Sequence, residues 1–227
     1  MSPAQEKKNA ALRAVNYVHS GMTLGLGTGS TAFFAIEAIG ESYRAGTLRD
    51  IRTVPTSETT AQQARRYNLP LVKLEDVDQI DLTIDGADEF DPQLRLIKGG
   101  GGALFREKLV AFASRRVVII SDASKQVVQL GAYPLPVEVL PGALNLVLRT
   151  LNERGYQPQL RLTDRQTTFV TDNHNYLLDL HLGAIPDPEK LDAELHLIPG
   201  LLETGLFLGL AHQVIMGQGE GVVVWER

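Results

Sequence analysis

Apolar residues over the first 125 positions alternate between helical and strand-like spacing. Ala11, Ala14, Val15 and Val18 recur at helical intervals behind Ser2 and Pro3, a cap and first-turn pair, and Gly21 stands where that helix is expected to end. Residues 22–26 form a short apolar run of the buried-strand kind. They lead through G-L-G-T-G-S-T into a helix carrying Phe33, Phe34, Ile36 and Ile39. A second unit follows in the same order: a strand at 51–55, then S-E-T-T opening a helix that stops near Asn68 and Pro70, then a short strand at 71–73. Ile80, Leu82 and Ile84 alternate toward Asp85, and 117–120 is a fully apolar strand running into Ser121 and Asp122.

Helix and strand in alternation predict an α/β fold, a parallel sheet with helices on both faces and right-handed crossovers. Three polar segments each stand just after a strand, at 27–31, 85–88 and 122–125. Ligands of open α/β sheets bind outside the carboxyl ends of the strands, so these segments are expected to line one crevice.

The rhythm changes after Gly131. Y-P-L-P-V-E-V-L-P breaks the pattern, and a strand, a helix at about 143–154 and a strand near 159–162 follow. Two further strands are expected to flank T-D-N-H-N at 171–175, and Asp187-Pro188 caps a short helix carrying Leu191 and Leu195. That order is a small split βαβ unit of the ferredoxin-like kind, expected over 133–198. The parallel-sheet unit is expected over 1–132 and 199–227, with 206–210, 214–216 and 222–224 rejoining the first sheet.

Composition narrows the function classes. The chain has 227 residues, 44% hydrophobic and 22% charged, enough for a substantial core. No apolar run approaches the roughly 18 residues of a membrane span, and M-S-P-A-Q-E-K-K lacks the apolar core of a signal peptide, so a cytoplasmic protein without a membrane partner is expected. The absence of cysteine excludes disulfides, thiolate metal sites, iron–sulfur clusters and cysteine nucleophiles. A formal net charge of −5 without a basic cluster weighs against nucleic acid.

The stretch from Asp85 to Lys108 holds the densest chemistry. It reads D-G-A-D-E-F-D and then K-G-G-G-G-A-L-F-R-E-K. Four glycines in a row cost backbone entropy and bury no side chain, which points to close approach of backbone to a ligand. Bare backbone beside a lysine and several carboxylates suits a small anionic substrate that gains and loses protons. Taken singly, D-G-A-D could be a polar loop satisfying its own backbone, and Glu107 a surface residue between Arg106 and Lys108. Placing Lys98, the glycines and Glu107 within ten residues favours a base and a cation on one ligand. No metal is expected, because the run lacks EF-hand spacing and His19, His174, His181, His196 and His212 all lie elsewhere in the sequence.

The glycine turn formally matches a dinucleotide fingerprint, but the second strand ends in Thr56-Ser57 where an acidic residue would meet the ribose. Three hydroxyls, Thr28, Ser30 and Thr31, instead stand at a helix N-terminus suited to a single phosphate. A tight turn with a serine cap is the plain alternative. Lys125 is either a solvated loop lysine or a second cation for that phosphate.

Together these segments resemble one family, the type A ribose-5-phosphate isomerases. The resemblance rests on G-L-G-T-G-S-T-A (25–32), T-S-E-T-T (56–60), I-D-G-A-D-E-F-D (84–91), K-G-G-G-G-A-L-F-R-E-K (98–108) and S-D-A-S-K (121–125), in that order, with P-G-L-L-E-T-G-L-F near the end. It covers essentially the whole chain. Phe105 departs from the small polar residue expected in the glycine block and is expected to face away from Glu107.

The resemblance implies a Rossmann-like parallel sheet domain with a smaller ferredoxin-like α+β domain. It further implies interconversion of D-ribose 5-phosphate and D-ribulose 5-phosphate through an enediolate, in the pentose phosphate pathway, without metal or nucleotide cofactor. Glu107 matches the base that moves a proton between C2 and C1, and Lys98 with the glycine N–H groups the oxyanion stabilisers. Asp85 and Asp88 match residues that handle sugar hydroxyls and ring opening. Substrate contacts would come from Thr28, Gly29, Ser30, Thr31, Gly86, Ala87, Gly99, Gly100, Gly101 and Lys125, with Lys7 from the first helix. A homo-oligomer, dimer or larger, is implied as well. Two other readings remain open: a sugar-phosphate sensor, for which about 20 residues before the first strand leave no room for a helix-turn-helix, and an acyl-CoA transferase or amino-sugar phosphate isomerase on a similar sheet.

Overall fold

The computed structural model describes residues 2–227. In chain order its elements are α1 (Pro3–Val15), β1 (Thr23–Leu26), α2 (Ala32–Arg44), β2 (Arg52–Pro55), α3 (Glu58–Arg66), β3 (Ile80–Gly86), β4 (Glu89–Phe90), β5 (Leu96–Ile97), α4 (Leu104–Phe112) and β6 (Ser114–Asp122). There follow β7 (Leu135–Val139), α5 (Leu144–Glu153), β8 (Pro158–Leu160), β9 (Tyr176–Leu180), α6 (Pro188–His196), β10 (Leu201–Thr204), β11 (Leu206–Phe207), β12 (Gln213–Gln218) and β13 (Gly221–Glu226).

The main sheet has the order β13-β12-β6-β3-β1-β2. Its first five strands in sequence order pair in parallel, and β13 returns antiparallel on β12. From β1 the chain steps outward to β2, then crosses back to β3 and on to β6. The strand order therefore reverses between β1 and β3, the position where such sheets bind ligands. The residues leaving β1, β3 and β6 are the three polar segments singled out above, so the sheet sets them side by side. Leu24, Leu26, Ile84, Val118 and Ile120 bury one face of the sheet against Ala10, Ala11 and Ala14 of α1 and Ile36 and Ile39 of α2. The small side chains of α1 let it lie close: a Cβ added to Gly217 in β12 would fall 2.0 Å from the backbone oxygen of Glu6.

The smaller unit follows the sequence β7-α5-β8-β9-α6-β10, with its antiparallel sheet ordered β10-β7-β9-β8. That order is the ferredoxin-like topology. Its core holds Leu135, Val137, Val139, Val147, Leu151, Leu178 and Leu180. A third, three-stranded sheet, β11-β5-β4, is built from β4 and β5, between β3 and β6 in the chain, and β11, between β10 and β12.

Several expected elements differ. Helix α1 stops at Val15 with Asn16 as its cap, and Tyr17 and Val18 continue in tighter i→i−3 bonds, so Val18 keeps its helical spacing without lying in the helix. The expected strand at 71–73 is a single bridge from Leu71 to Thr53, because Pro70 before it offers no N–H and the chain turns at once into a short 3₁₀ segment, Leu74–Asp76. One strand, not two, flanks T-D-N-H-N: residues before it make only the bridges Leu162–Thr168 and Val170–Tyr176 around a turn in which Gln166 has φ +60. β10 joins the smaller sheet, so that sheet runs past 198. β11 does not rejoin the main sheet but pairs with β5, and Gly209 at φ +72 turns the chain before β12.

Candidate active site

At the carboxyl ends of β1, β3 and β6 lies a cavity of about 110 Å³. Its wall is formed by Lys7, Thr28, Gly29, Ser30, Thr31, Gly86, Ala87, Asp88, Lys98, Gly99, Gly100, Gly101, Glu107 and Lys125. Every residue expected to bind substrate therefore lines it except Asp85, which lies buried behind the wall.

Lys98 is the hub. It enters from the end of β5, is 3% exposed, and its Nζ lies 3.1 Å from Asp85 Oδ2, 3.2 Å from Glu107 Oε1 and 2.7 Å from the carbonyl of Gly86. The face of Phe207 in β11 covers it, with Nζ 5.3 Å from the ring centroid. Burial alone would lower the lysine's pKa, but Asp85 and Glu107 outweigh it and hold Lys98 above its ordinary value, so it stays charged. Asp85 Oδ1 accepts the N–H groups of Gly86 at 2.7 Å and Thr28 at 3.1 Å, tying the end of β3 to the glycine turn after β1. Burial raises the Asp85 pKa, against the pull of Lys98 and those two N–H groups.

Glu107 stands in the first turn of α4, 4% exposed. Burial pushes its carboxyl up to about 8, and the negative charges of Asp85 and Asp88 add to the shift that Lys98 opposes. One carboxylate oxygen faces Lys98. The other, Oε2, is buried and has no hydrogen-bond partner among the described residues. A buried polar atom left this way is costly in a folded protein, and because Glu107 lines the cavity a ligand atom there can complete its bonding.

The glycine loop supplies backbone. Gly99 has φ +106, which a side chain rarely adopts, and a Cβ on Gly100 would fall 2.5 Å from Asp88 Oδ1. The N–H of Gly100 donates to Asp88 Oδ2 at 2.7 Å, so loop and Asp88 hold each other. At the opposite end, Gly29, Ser30 and Thr31 lead into α2, and their N–H groups donate to no acceptor among the described residues. Lys7 reaches from α1 to Ser30 Oγ at 3.0 Å, with Asp122 at 3.7 Å on its other side. Lys7, Lys125 and the N-terminus of α2 together make a compact positive mouth for a phosphate-sized anion.

Thr28 plays a different part from its neighbours. Its hydroxyl bonds Thr56 at 2.7 Å, Ser57 at 2.9 Å and Thr60 at 3.1 Å. Thr56 and Thr60 in turn donate to the carbonyls of Leu26 and Gly27. The T-S-E-T-T segment thus clamps the glycine turn in shape, and Thr28 faces the cavity without a free hydroxyl. Phe105 is half-buried and lines another groove, beside Val54 and Leu74, away from Glu107.

Sequence reading missed two contributors from the smaller unit. Arg161 Nη1 donates to the carbonyls of Gly99 at 2.8 Å and Gly100 at 3.3 Å, and its guanidinium pairs with Asp179. Tyr133 stands against Gly100, its hydroxyl 2.6 Å from where a Cβ would be. Neither residue belongs to a local motif. They meet the glycine loop only because the smaller unit folds over it.

Elsewhere, Asp192, His196 and Glu203 bring one ligand atom each within 4.8 Å of one another. The Glu203 oxygen already accepts Lys108 Nζ at 2.6 Å, so this carboxylate is paired with a cation from the chain itself.

Comparison with known proteins agrees along the whole chain. A family model described as ribose 5-phosphate isomerase A (phosphoriboisomerase A) matches residues 52–221. Ribose-5-phosphate isomerase A of Parvibaculum lavamentivorans is 47% identical over 232 residues, covering all of both chains, and that of Limosilactobacillus reuteri is 48% identical over 215 residues, covering 95% of this chain and 94% of its own. Among solved structures, a D-ribose-5-phosphate isomerase in complex with phospho-erythronic acid superposes with a TM-score of 0.97 at 38% identity, covering both chains fully. The ribose 5-phosphate isomerase A of Methanocaldococcus jannaschii gives 0.94 at 38% identity, again over both full chains.

Proposed function

The chain belongs to the ribose 5-phosphate isomerase A family, and we propose that the cavity bounded by β1, β3 and β6 is where it works. The enzyme interconverts D-ribose 5-phosphate and D-ribulose 5-phosphate by proton transfer through an enediolate. The observation that carries the site assignment is the unpartnered Oε2 of Glu107, a buried base whose other oxygen is held by Lys98.

The phosphate sits among Lys7, Lys125, Ser30, Thr31 and the free N–H groups before α2. That seat sets the sugar chain toward Glu107, which lines the same cavity. Asp88, on the wall, exchanges protons with the sugar hydroxyls, helps open the furanose ring and relays a proton between O1 and O2. Glu107 Oε2 removes the proton from C2, the electrons move to make the C1–C2 enediolate, and the same carboxyl returns the proton to C1. Lys98 and the N–H groups of Gly99 and Gly101 stabilise the negative oxygen as it forms. Asp85 acts through Lys98, which it orients and keeps charged.

The rate is tested with ribose 5-phosphate deuterated at C2, in buffer containing a chelator. Loss of deuterium to solvent as ribulose 5-phosphate appears is expected. Tight binding without turnover would instead favour a sensor. We also propose that the enzyme acts in the cytoplasm, within the pentose phosphate pathway, as a homodimer or larger assembly. Sedimentation at micromolar concentration tests the assembly, and a monomer would overturn it.

A further inference from the structure

A loop of four glycines has no side chain with which to hold itself, yet its N–H groups must be aimed before the oxyanion forms if they are to lower the barrier. We propose that Arg161, carried by the smaller unit, is the positioning residue that aims the N–H groups of Gly100 and Gly101. The inference rests on the isomerase reading of the site.

The argument is one of peptide geometry. In a trans peptide the carbonyl of one residue and the N–H of the next point in opposite directions. Arg161 Nη1 holds the carbonyl of Gly99 at 2.8 Å, which turns the N–H of Gly100 the other way, and that N–H is the one that meets Asp88 at 2.7 Å. The same nitrogen holds the carbonyl of Gly100 at 3.3 Å, which turns the N–H of Gly101 away from the guanidinium. That N–H has no acceptor among the described residues, and Gly101 lines the cavity.

The guanidinium is itself fixed. Its side chain is 13% exposed, Nε donates to Asp179 Oδ2 at 2.8 Å, and Nη2 bonds Asp179 Oδ1. The backbone N–H of Arg161 bonds the carbonyl of Leu177 in β9 at 2.9 Å, so the whole device is anchored in the smaller sheet. A positive charge on the two carbonyls also polarises their peptide units and strengthens the N–H groups on the far side as donors. The smaller unit thereby reaches a reaction that none of its side chains touches.

The test compares wild type, Arg161→Ala and Arg161→Lys in kcat, KM and inhibition by phospho-erythronic acid and by inorganic phosphate. Arg161→Ala is expected to lose about 10- to 10³-fold in kcat, up to the loss of one oxyanion donor, with KM little changed. Affinity for phospho-erythronic acid, whose carboxylate carries a negative charge like that of the enediolate, should fall in step with kcat, while affinity for inorganic phosphate holds. Added guanidinium ion should restore part of the Arg161→Ala rate and leave wild type unaffected. Arg161→Lys keeps charge and bulk but cannot span both carbonyls and Asp179 at once, so it is expected to fold and to retain an intermediate rate. Wild-type kcat in either variant overturns the proposal, as does an equal loss of phosphate and phospho-erythronic acid binding, which would make Arg161 a general structural support. Inactive wild type would sink the isomerase reading itself, an outcome distinct from active wild type with an active Arg161→Ala.

Discussion

Oε1 of Glu107 lies 3.2 Å from Nζ of Lys98, while Oε2 of the same carboxylate is buried with no partner among the described residues. One oxygen is therefore fixed and the other left to react. In the proposed mechanism the lysine that anchors the base also stabilises the oxyanion, so a single buried contact would couple the two halves of the chemistry.

Replacing Glu107 with Gln keeps the shape and removes the base. The variant is expected to lose about 10² to 10⁴ in kcat with KM little changed, the usual contribution of a positioned general base. Steady-state kinetics on ribose 5-phosphate check this, and near wild-type turnover would remove Glu107 from the role.

Burial pushes the Glu107 carboxyl up to about 8, so in the free enzyme the reactive, ionised form gains population as pH rises through that value. We expect kcat/KM to climb accordingly. The stability consequence has the opposite sign. Unfolded Glu ionises near 4.5 and the folded group near 8, so between those values the folded state holds more protons and loses stability as pH rises. Glu107→Gln should flatten that part of the stability profile, measured by denaturant unfolding from below pH 4.5 to above pH 8. An unchanged slope would show that the carboxyl is ionised throughout.

Lys125 lines the cavity, and in the proposed site it holds the phosphate, which does not react. Lys125→Ala should raise KM and leave kcat nearly intact. A drop confined to kcat would place Lys125 beside the reacting atoms.

Glu138 in β7 is fully buried, and its Oε1 accepts from Thr171 at 3.0 Å, Asn173 at 3.2 Å and Asn175 at 2.9 Å. The T-D-N-H-N loop so held meets the start of α4 through Arg106 and Asn173, 2.9 Å apart. Glu138→Ala leaves three donors without their acceptor and should cost about 3 kcal/mol in a urea titration. A loss below about 0.5 kcal/mol, the range of ordinary surface substitutions, would show that the loop holds itself.

Two neighbouring glycines should respond differently to a methyl group. At Gly100 a Cβ would meet Asp88 Oδ1 at 2.5 Å and the Tyr133 hydroxyl at 2.6 Å, whereas at Gly101 the nearest atom is Thr28 Cγ2 at 3.5 Å. Gly100→Ala is expected to lower both the melting temperature and kcat, and Gly101→Ala to leave the melting temperature unchanged. Equal melting temperatures for the two variants would contradict the packing around Asp88.

Much of the site could be read from the chain because its parts are local. The end of β1 and its turn, the end of β3, and the run from Lys98 to Glu107 are each contiguous, and hydrophobic spacing fixes where each strand stops. Parallel pairing then brings strand ends together without further information. Spacing was less informative where an element depends on its neighbours: β11 pairs with β5 and carries Phe207 to cover Lys98, a choice its two apolar residues do not record.

The alternation of elements, the three polar strand ends and the residue types of the cavity wall were legible from the residues alone. Those follow from short-range periodicity and backbone chemistry, which a linear chain carries openly. Packing in three dimensions was needed to place Asp85 behind Lys98, to turn the Thr28 hydroxyl inward to Thr56, Ser57 and Thr60, and to set Arg161 on the carbonyls of Gly99 and Gly100 across 62 and 61 residues of sequence. Such contacts depend on how segments far apart in sequence settle against each other, within the main unit and between it and the smaller one, and burial and direction of a side chain are properties of that packing.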